Sequence, residues 1–142
     1  MIKCETLGML DIAKINPVLT SASDVNNNSF LVGADGITYV IMNDISGDDA
    51  YKDDVTLKAG SYLNGYDVSA WVGQKLIVDG KHITGGVSGL TAGTSVLVID
   101  GDHPGMLKAG SGSAGDIIFK VTQKVTLTEA AVKVQIAIAS GE

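Results

Sequence analysis

Asp100, Asp102 and His103, beside Pro104, form a close grouping of side chains that could do chemistry. Two carboxylates and an imidazole so close together offer oxygen and nitrogen donors for a metal, or an acid–base pair. By themselves they do not complete a centre. His82 is the one other histidine, and Cys4 is the one thiol, so no zinc-ligand spacing emerges. Ser111 and Ser113 lack the Gly-x-Ser-x-Gly elbow that exposes a nucleophile. A metal-dependent enzyme using Asp100, Asp102 and His103 therefore ranks behind a non-catalytic role. No catalytic, cofactor-binding or metal residue is expected.

Two further patterns suggest ligands and then fail on context. Gly110-x-Gly112-x-x-Gly115 spells the dinucleotide fingerprint, but that motif needs a helix whose N-terminal amides meet the pyrophosphate. Here it runs into Ile117-Ile118-Phe119, a strand pattern, so a flexible hairpin loop is expected. Asp44, Asp48, Asp49, Asp53 and Asp54 form an acidic loop that invites calcium. Counted from Asp44 as an EF-hand, the sixth position is Asp49 in place of Gly, and the twelfth is Val55, which cannot ligate. A solvated loop is the expectation, with a calcium loop of another kind left open.

The residues 116–139 supply the frame. Ile117, Phe119, Val121, Val125 and Leu127 alternate with Lys120, Thr122 and Lys124, and Val132, Val134, Ile136 and Ile138 resume the rhythm. Successive strand residues point to opposite faces, so these runs read as an antiparallel pair with one oily face and one wet face. A helix over 128–134, capped by Thr128, is the lesser alternative. Around this pair, Phe30–Val32 and Ile37–Met42 flank the turn Gly33-Ala34-Asp35-Gly36, a hairpin whose second strand is apolar on both faces and therefore central. A turn is expected at Asn64-Gly65. One helical turn is expected between Asp67 and Val72, stopped by Gly73. Asp79-Gly80 reads as a two-residue hairpin, which puts His82 on the surface. Ser95–Ile99 is the most continuous apolar strand, and Met106–Ala109 is short and extended. The recurrence of Lys58-Ala59-Gly60-Ser61 as Lys108-Ala109-Gly110-Ser111 reads as a shared local turn.

Composition sets the outer bounds. The chain has 142 residues, is 45% apolar with few aromatics, and contains eighteen glycines against two prolines. Many short strands and tight reversals follow, which makes the expected fold mainly β: a small antiparallel β-sandwich or partly open β-barrel, with at most one or two short helical turns. The net charge of −6, ten scattered lysines and no arginine argue against nucleic acid as a partner. No run is long and apolar enough for a membrane span, and Met1–Leu10 lacks an apolar signal core, so a soluble, intracellularly made protein is expected.

Residues 1–28 read as an N-terminal arm or edge segment, and residues 29–142 as a single β domain. The first segment is either an ordered edge strand or an arm that orders on a partner by adding a strand to a sheet. Thr20–Ser29, rich in Ser and Asn, reads as a linker or mobile loop. Cys4 reads as an inert thiol. Trp71 is either a core plug under a loop or an interface anchor. Ile2, Cys4, Tyr66 and Trp71 are the candidate protein-interface residues.

Two stretches carry a family likeness. Leu57-Lys58-Ala59-Gly60-Ser61-Tyr62-Leu63-Asn64-Gly65-Tyr66-Asp67 continues through Gly73-Gln74-Lys75-Leu76-Ile77-Val78-Asp79. The tail runs from Gly115-Asp116-Ile117-Ile118-Phe119 to Thr128-Glu129-Ala130-Ala131-Val132-Lys133. Over roughly residues 55–139 the chain resembles the small head decoration, or cement, proteins of tailed bacteriophages. The likeness is one of texture, without an invariant chemical motif. It implies a non-catalytic structural protein, often trimeric, that binds the major capsid protein on the outer face of the expanded virion shell after synthesis in the bacterial cytoplasm. It implies no cofactor. A phage tail or baseplate component, or a host-surface binding module, is the alternative.

Overall fold

The computed structural model describes residues 2–4, 15–43, 55–126 and 129–140. Its centre is the expected pair: β11 (Ile117–Thr126) and β12 (Ala130–Ile138) run antiparallel, with Phe119 opposite Ile136 and Val121 opposite Val134. Period-two burial holds along β12, where Val132, Val134 and Ile136 are buried. Strand pairing begins at Ala130, so the helical alternative fails at positions where apolar side chains recur every second residue. A register shift between Val121 and Gln123 breaks the alternation of β11, and Val125 is only half-buried.

Further strands complete a six-stranded sheet in the order β1–β8–β12–β11–β9–β10. They are β1 (Ile2–Cys4), β8 (Lys75–Asp79), β9 (Val96–Ile99) and β10 (Leu107–Ala109). A second, four-stranded sheet has the order β2–β7–β5–β4, built from β2 (Ile15–Thr20), β4 (Ser29–Val32), β5 (Thr38–Ile41) and β7 (Tyr62–Asp67). A short pair, β3 (Val25–Asn26) with β6 (Thr56–Leu57), covers the second sheet. Every pairing within these sheets is antiparallel. The expected mainly β sandwich is what the chain forms.

The sheets pack face to face. Phe30 and Val40 from the four-stranded sheet bury against Leu76, Val78, Leu97, Phe119, Val134 and Ile136 from the six-stranded one. Trp71 and Val68 plug the same core from a 3-10 turn, Val68–Trp71, whose cap is Asp67 and which ends before Gly73 at φ 91°, as the residues foretell. The opposite face of the four-stranded sheet buries Tyr39, Ile41 and Leu63 with Val25 in a second cluster. That makes β5 the doubly buried central strand its composition predicts. The β4–β5 hairpin turns at Gly36, whose φ of 81° suits glycine.

Four expectations are corrected. Asn64-Gly65 does not turn: both lie within β7, where Gly65 pairs with Ile41 and with Asn16. The Asn43 carboxamide accepts the Asn64 N–H at 2.7 Å, so strand pairing and this side chain outweigh the local turn preference. Thr20–Ser29 is not a linker, since Val25, Asn27 and Ser29 are buried. Its main chain is paired, with the Asn27 and Asn28 N–H groups donating to the Val55 and Ile41 carbonyls at 2.7 Å each, and the Asn27 side chain holds the Asn43 main chain: the Asn43 N–H donates to Asn27 Oδ1 at 2.8 Å, and Asn27 Nδ2 donates to the Asn43 carbonyl at 3.0 Å. Asp79-Gly80 makes no hairpin either. β8 ends at Asp79, and Gly80–His82 forms a second 3-10 turn that carries the chain away. Nor do the two Lys-Ala-Gly-Ser stretches share a turn, because Gly60 is left-handed at φ 83° whereas Gly110 is not left-handed.

Candidate functional site

Asp100 sits where β9 ends and the chain turns back into β10. Its side chain is buried and fully used. Oδ1 accepts the Asp102 N–H at 3.0 Å; Oδ2 accepts the Thr84 hydroxyl at 2.6 Å and lies 2.9 Å from His103 Nδ1. The Thr84 bond is the main reason that the carboxyl is lowered to about 2; burial opposes it, and His103 and the Asp102 N–H add to it. Asp102 joins the group through its main chain. The arrangement pins a turn, and no three His, Cys, Asp or Glu side chains among the described residues gather as metal ligands.

The same arrangement occurs one turn earlier in the fold. His82 is buried, where the sequence reading put it on the surface, and its Nδ1 lies 2.6 Å from Asp79 Oδ1. Burial raises the Asp79 carboxyl, but hydrogen bonding and charge, those of His82 included, outweigh it and leave it lowered. The signal was present as a repeated phrase: Asp79-Gly80-Lys81-His82 and Asp100-Gly101-Asp102-His103 share the order Asp-Gly-x-His. Each aspartate closes a strand, and each histidine folds back over it.

The concavity that suits a partner lies elsewhere. A groove of about 450 Å³ opens between the tip of the β4–β5 hairpin, the end of β9, the start of β11 and the end of β12. Val32 (45% exposed), Ile37 (38%) and Ile138 (55%) are among its lining residues and present bare apolar surface. Asp67 and Asp116 line it as well. Asp67 Oδ1 is fixed by the Ser69 N–H and hydroxyl at 2.9 and 2.7 Å, and Asp116 Oδ2 by the Ser113 N–H at 2.9 Å. Both carboxylates are thereby held in a groove that also exposes apolar side chains.

The candidate interface residues are dispersed. Ile2 and Cys4 pair through β1 with Val78 and Leu76, at an edge of the six-stranded sheet. Tyr66 is half-buried against the main core. Trp71 is fully buried and presents no surface, which corrects its reading as an interface anchor: the 3-10 turn directs it inward. Gly115 leads into β11, a strand, so the glycine run offers no helix terminus to a phosphate. Asp44, Asp48, Asp49, Asp53 and Asp54 fall outside the described residues. No helix among the described residues is long and apolar enough to cross a membrane. Comparison with known protein families, curated proteins and solved structures finds no match.

Proposed function

We propose that this chain is a structural, non-catalytic protein that binds the outer surface of a phage capsid and stabilises it, with the major capsid protein as its partner. The observation that carries the reading is the groove, where three exposed apolar side chains, Val32, Ile37 and Ile138, come together. A groove that joins exposed apolar side chains to fixed carboxylates is suited to holding a segment of another protein. The likeness to decoration proteins over residues 55–139 supplies the kind of partner. The Asp–His pairs favour the same reading, since each serves to hold a turn. Weak apolar contacts of this kind gain strength when repeated around a symmetric shell.

Expanded capsids lacking the protein provide the test. The purified chain should bind them saturably and in fixed stoichiometry and should raise their heat tolerance. Ile37→Asp with Ile138→Asp should abolish binding while leaving the fold intact by circular dichroism. Absence of binding by the unmodified chain would remove the proposal, and labelled virions seen with the protein on the tail would replace it with a tail role.

A further inference from the structure

The groove is the open end of the sandwich's interior. Strand residues two apart share a face, so a core residue fixes the direction of its neighbour two positions on. Ile138 stands two residues past Ile136, Ile99 two past Leu97 and Val32 two past Phe30, while Ile117 comes two before Phe119 and Thr38 two before Val40. Each of those partners belongs to the main core, and all five of their neighbours line the groove. Ile117 is directly opposite Ile138 in one sheet, and Val32 is directly opposite Thr38 in the other. They form the last inward-facing layer of both sheets. Ile99 and Ile117 still pack on the core, whereas Val32 and Ile138 are exposed. Elsewhere the same interior is filled by Trp71, which enters it from the 3-10 turn.

This mouth carries charge of one sign. Asp67 and Asp116 line it, and no lysine or histidine does. Each carboxylate is held through a single oxygen, Asp67 by Oδ1 and Asp116 by Oδ2, and among the described residues no donor bonds to the other oxygen of either. A carboxylate already fixed in place loses little freedom when it pairs, so it receives an ammonium or guanidinium group better than a mobile surface aspartate does. The volume of about 450 Å³ lies toward the low end of the roughly 300–1,000 Å³ of small binding pockets. It admits one or two side chains and not a whole strand or helix.

We propose that the groove receives an anchor: a short segment of the partner protein inserts one large apolar side chain between the two sheets, completing the layer begun by Val32, Ile117 and Ile138, and a lysine or arginine flanking it pairs with Asp67 and Asp116. This proposal rests on the capsid-binding role given to the groove above and adds the chemistry of the segment that fills it. Burial of the anchor supplies most of the affinity, and the charge pair decides which segment is accepted. An acidic flank would be repelled by both carboxylates, and a wholly polar segment would leave the apolar layer wet.

Short blocked peptides test the groove apart from any capsid. Acetyl-Gly-Lys-Leu-Lys-Gly-amide should cause saturable shifts in the NMR signals of Val32, Ile117 and Ile138. Replacing its leucine by glycine, or both of its lysines by glutamate, should weaken binding about tenfold or abolish it. Binding of the first peptide should fall as salt is raised from about 0.05 M to about 0.5 M. Asp67→Asn with Asp116→Asn keeps a side-chain oxygen for each turn bond; it should weaken that binding about tenfold and remove its salt dependence. Thr38→Leu, which grows into the mouth from the inner face, should exclude the peptide while both carboxylates remain. Circular dichroism matching that of the unmodified chain shows that the variants are folded. On expanded capsids, the chain with both asparagines should bind about tenfold more weakly than the unmodified one. No shifts, an equal response to the three peptides, or shifts confined to residues away from the groove would each overturn the proposal. Capsid binding that the two asparagines leave intact would also overturn it, while the capsid-binding role itself would stand. A chain that binds the Lys-Leu-Lys peptide but no capsid would uphold the anchor and remove the capsid as its source.

Discussion

His82 Nδ1 lies 2.6 Å from Asp79 Oδ1 where β8 ends, and both side chains are nearly sealed from solvent. His103 stands in the same sequence relation to Asp100 at the end of β9, at 2.9 Å, but its ring is largely in water. One motif therefore serves two environments. Both carboxylates are buried, and removing a buried partner costs far more than removing an exposed one. His82→Ala, which empties the place of a buried ring and removes one bond to Asp79, should lower stability by about 2–3 kcal/mol. His103→Ala should cost under about 1 kcal/mol, because the Thr84 hydroxyl and Asp102 N–H still hold Asp100. Urea unfolding of both variants checks the ordering. Equal losses would contradict it.

The Asp100 carboxyl is lowered to about 2 in the fold from an ordinary 3.8, chiefly by the Thr84 hydroxyl. A lowered value means that the unfolded chain takes up this proton first as pH falls. The stability Asp100 confers is therefore complete above its ordinary value and drains away as pH drops from about 4 toward 2. Asp24 and Asp35 are lowered as well, chiefly by the Ala59 and Ile37 N–H groups respectively, and act in the same direction. Denaturant midpoints should be flat between pH 7 and 5 on account of these groups and should decline below about 4. Asp100→Asn should lessen that decline and lower the plateau.

Across the sandwich, Phe30 and Phe119 meet with ring centroids 4.6 Å apart and planes inclined at 43°. The two rings join β4 of one sheet to β11 of the other, and both are fully buried. Truncating either leaves a cavity that the surrounding strands cannot close. Phe119→Ala and Phe30→Ala should each cost about 3–5 kcal/mol. The double variant should cost less than the sum, because the first truncation already forfeits the ring contact. Thermal or urea unfolding of the set of four proteins measures the shortfall. Strict additivity would show that the rings act independently.

Much of this frame was legible in the residues. The alternation of Val132, Val134 and Ile136 gave β12, and Gly33-Ala34-Asp35-Gly36 gave the β4–β5 hairpin. Asp67 with Gly73 gave the 3-10 turn around Trp71. These are local signals. What stayed hidden depends on distant parts of the chain. Asn64-Gly65 is a turn by its own preference and a strand by its pairing with Ile41 and Asn16. The groove draws Val32, Asp67, Ile99, Asp116 and Ile138 from five separate stretches, and no spacing rule links them. Lys75, Lys120 and Lys133 likewise come near one another only once β8, β12 and β11 are paired. The repeated Asp-Gly-x-His was readable, but a strand end preceding each aspartate is what turns the phrase into a staple.

The joint between the two sheets at one corner rests on Gly105. Its backbone bridges to Phe30 of β4, so the four-stranded sheet touches the β9–β10 hairpin there. The residue is left-handed at φ 83°, and a Cβ at this position would stand 2.8 Å from Ser29 Oγ and 3.2 Å from Ser29 Cβ. Ser29 cannot withdraw freely, because it is buried and its hydroxyl donates to the Asn26 carbonyl. Gly105→Ala therefore meets backbone strain of about 1 kcal/mol and a steric clash that pushes β4 off the corner. A loss of about 2–3 kcal/mol is expected in all. Ser29→Ala in the same background removes the nearer atom and should recover part of the loss, although alone it gives up a hydrogen bond. Unfolding measurements on the two single variants and the double variant decide the matter. If Gly105→Ala is neutral, or if Ser29→Ala restores nothing, the corner is not held by this close approach.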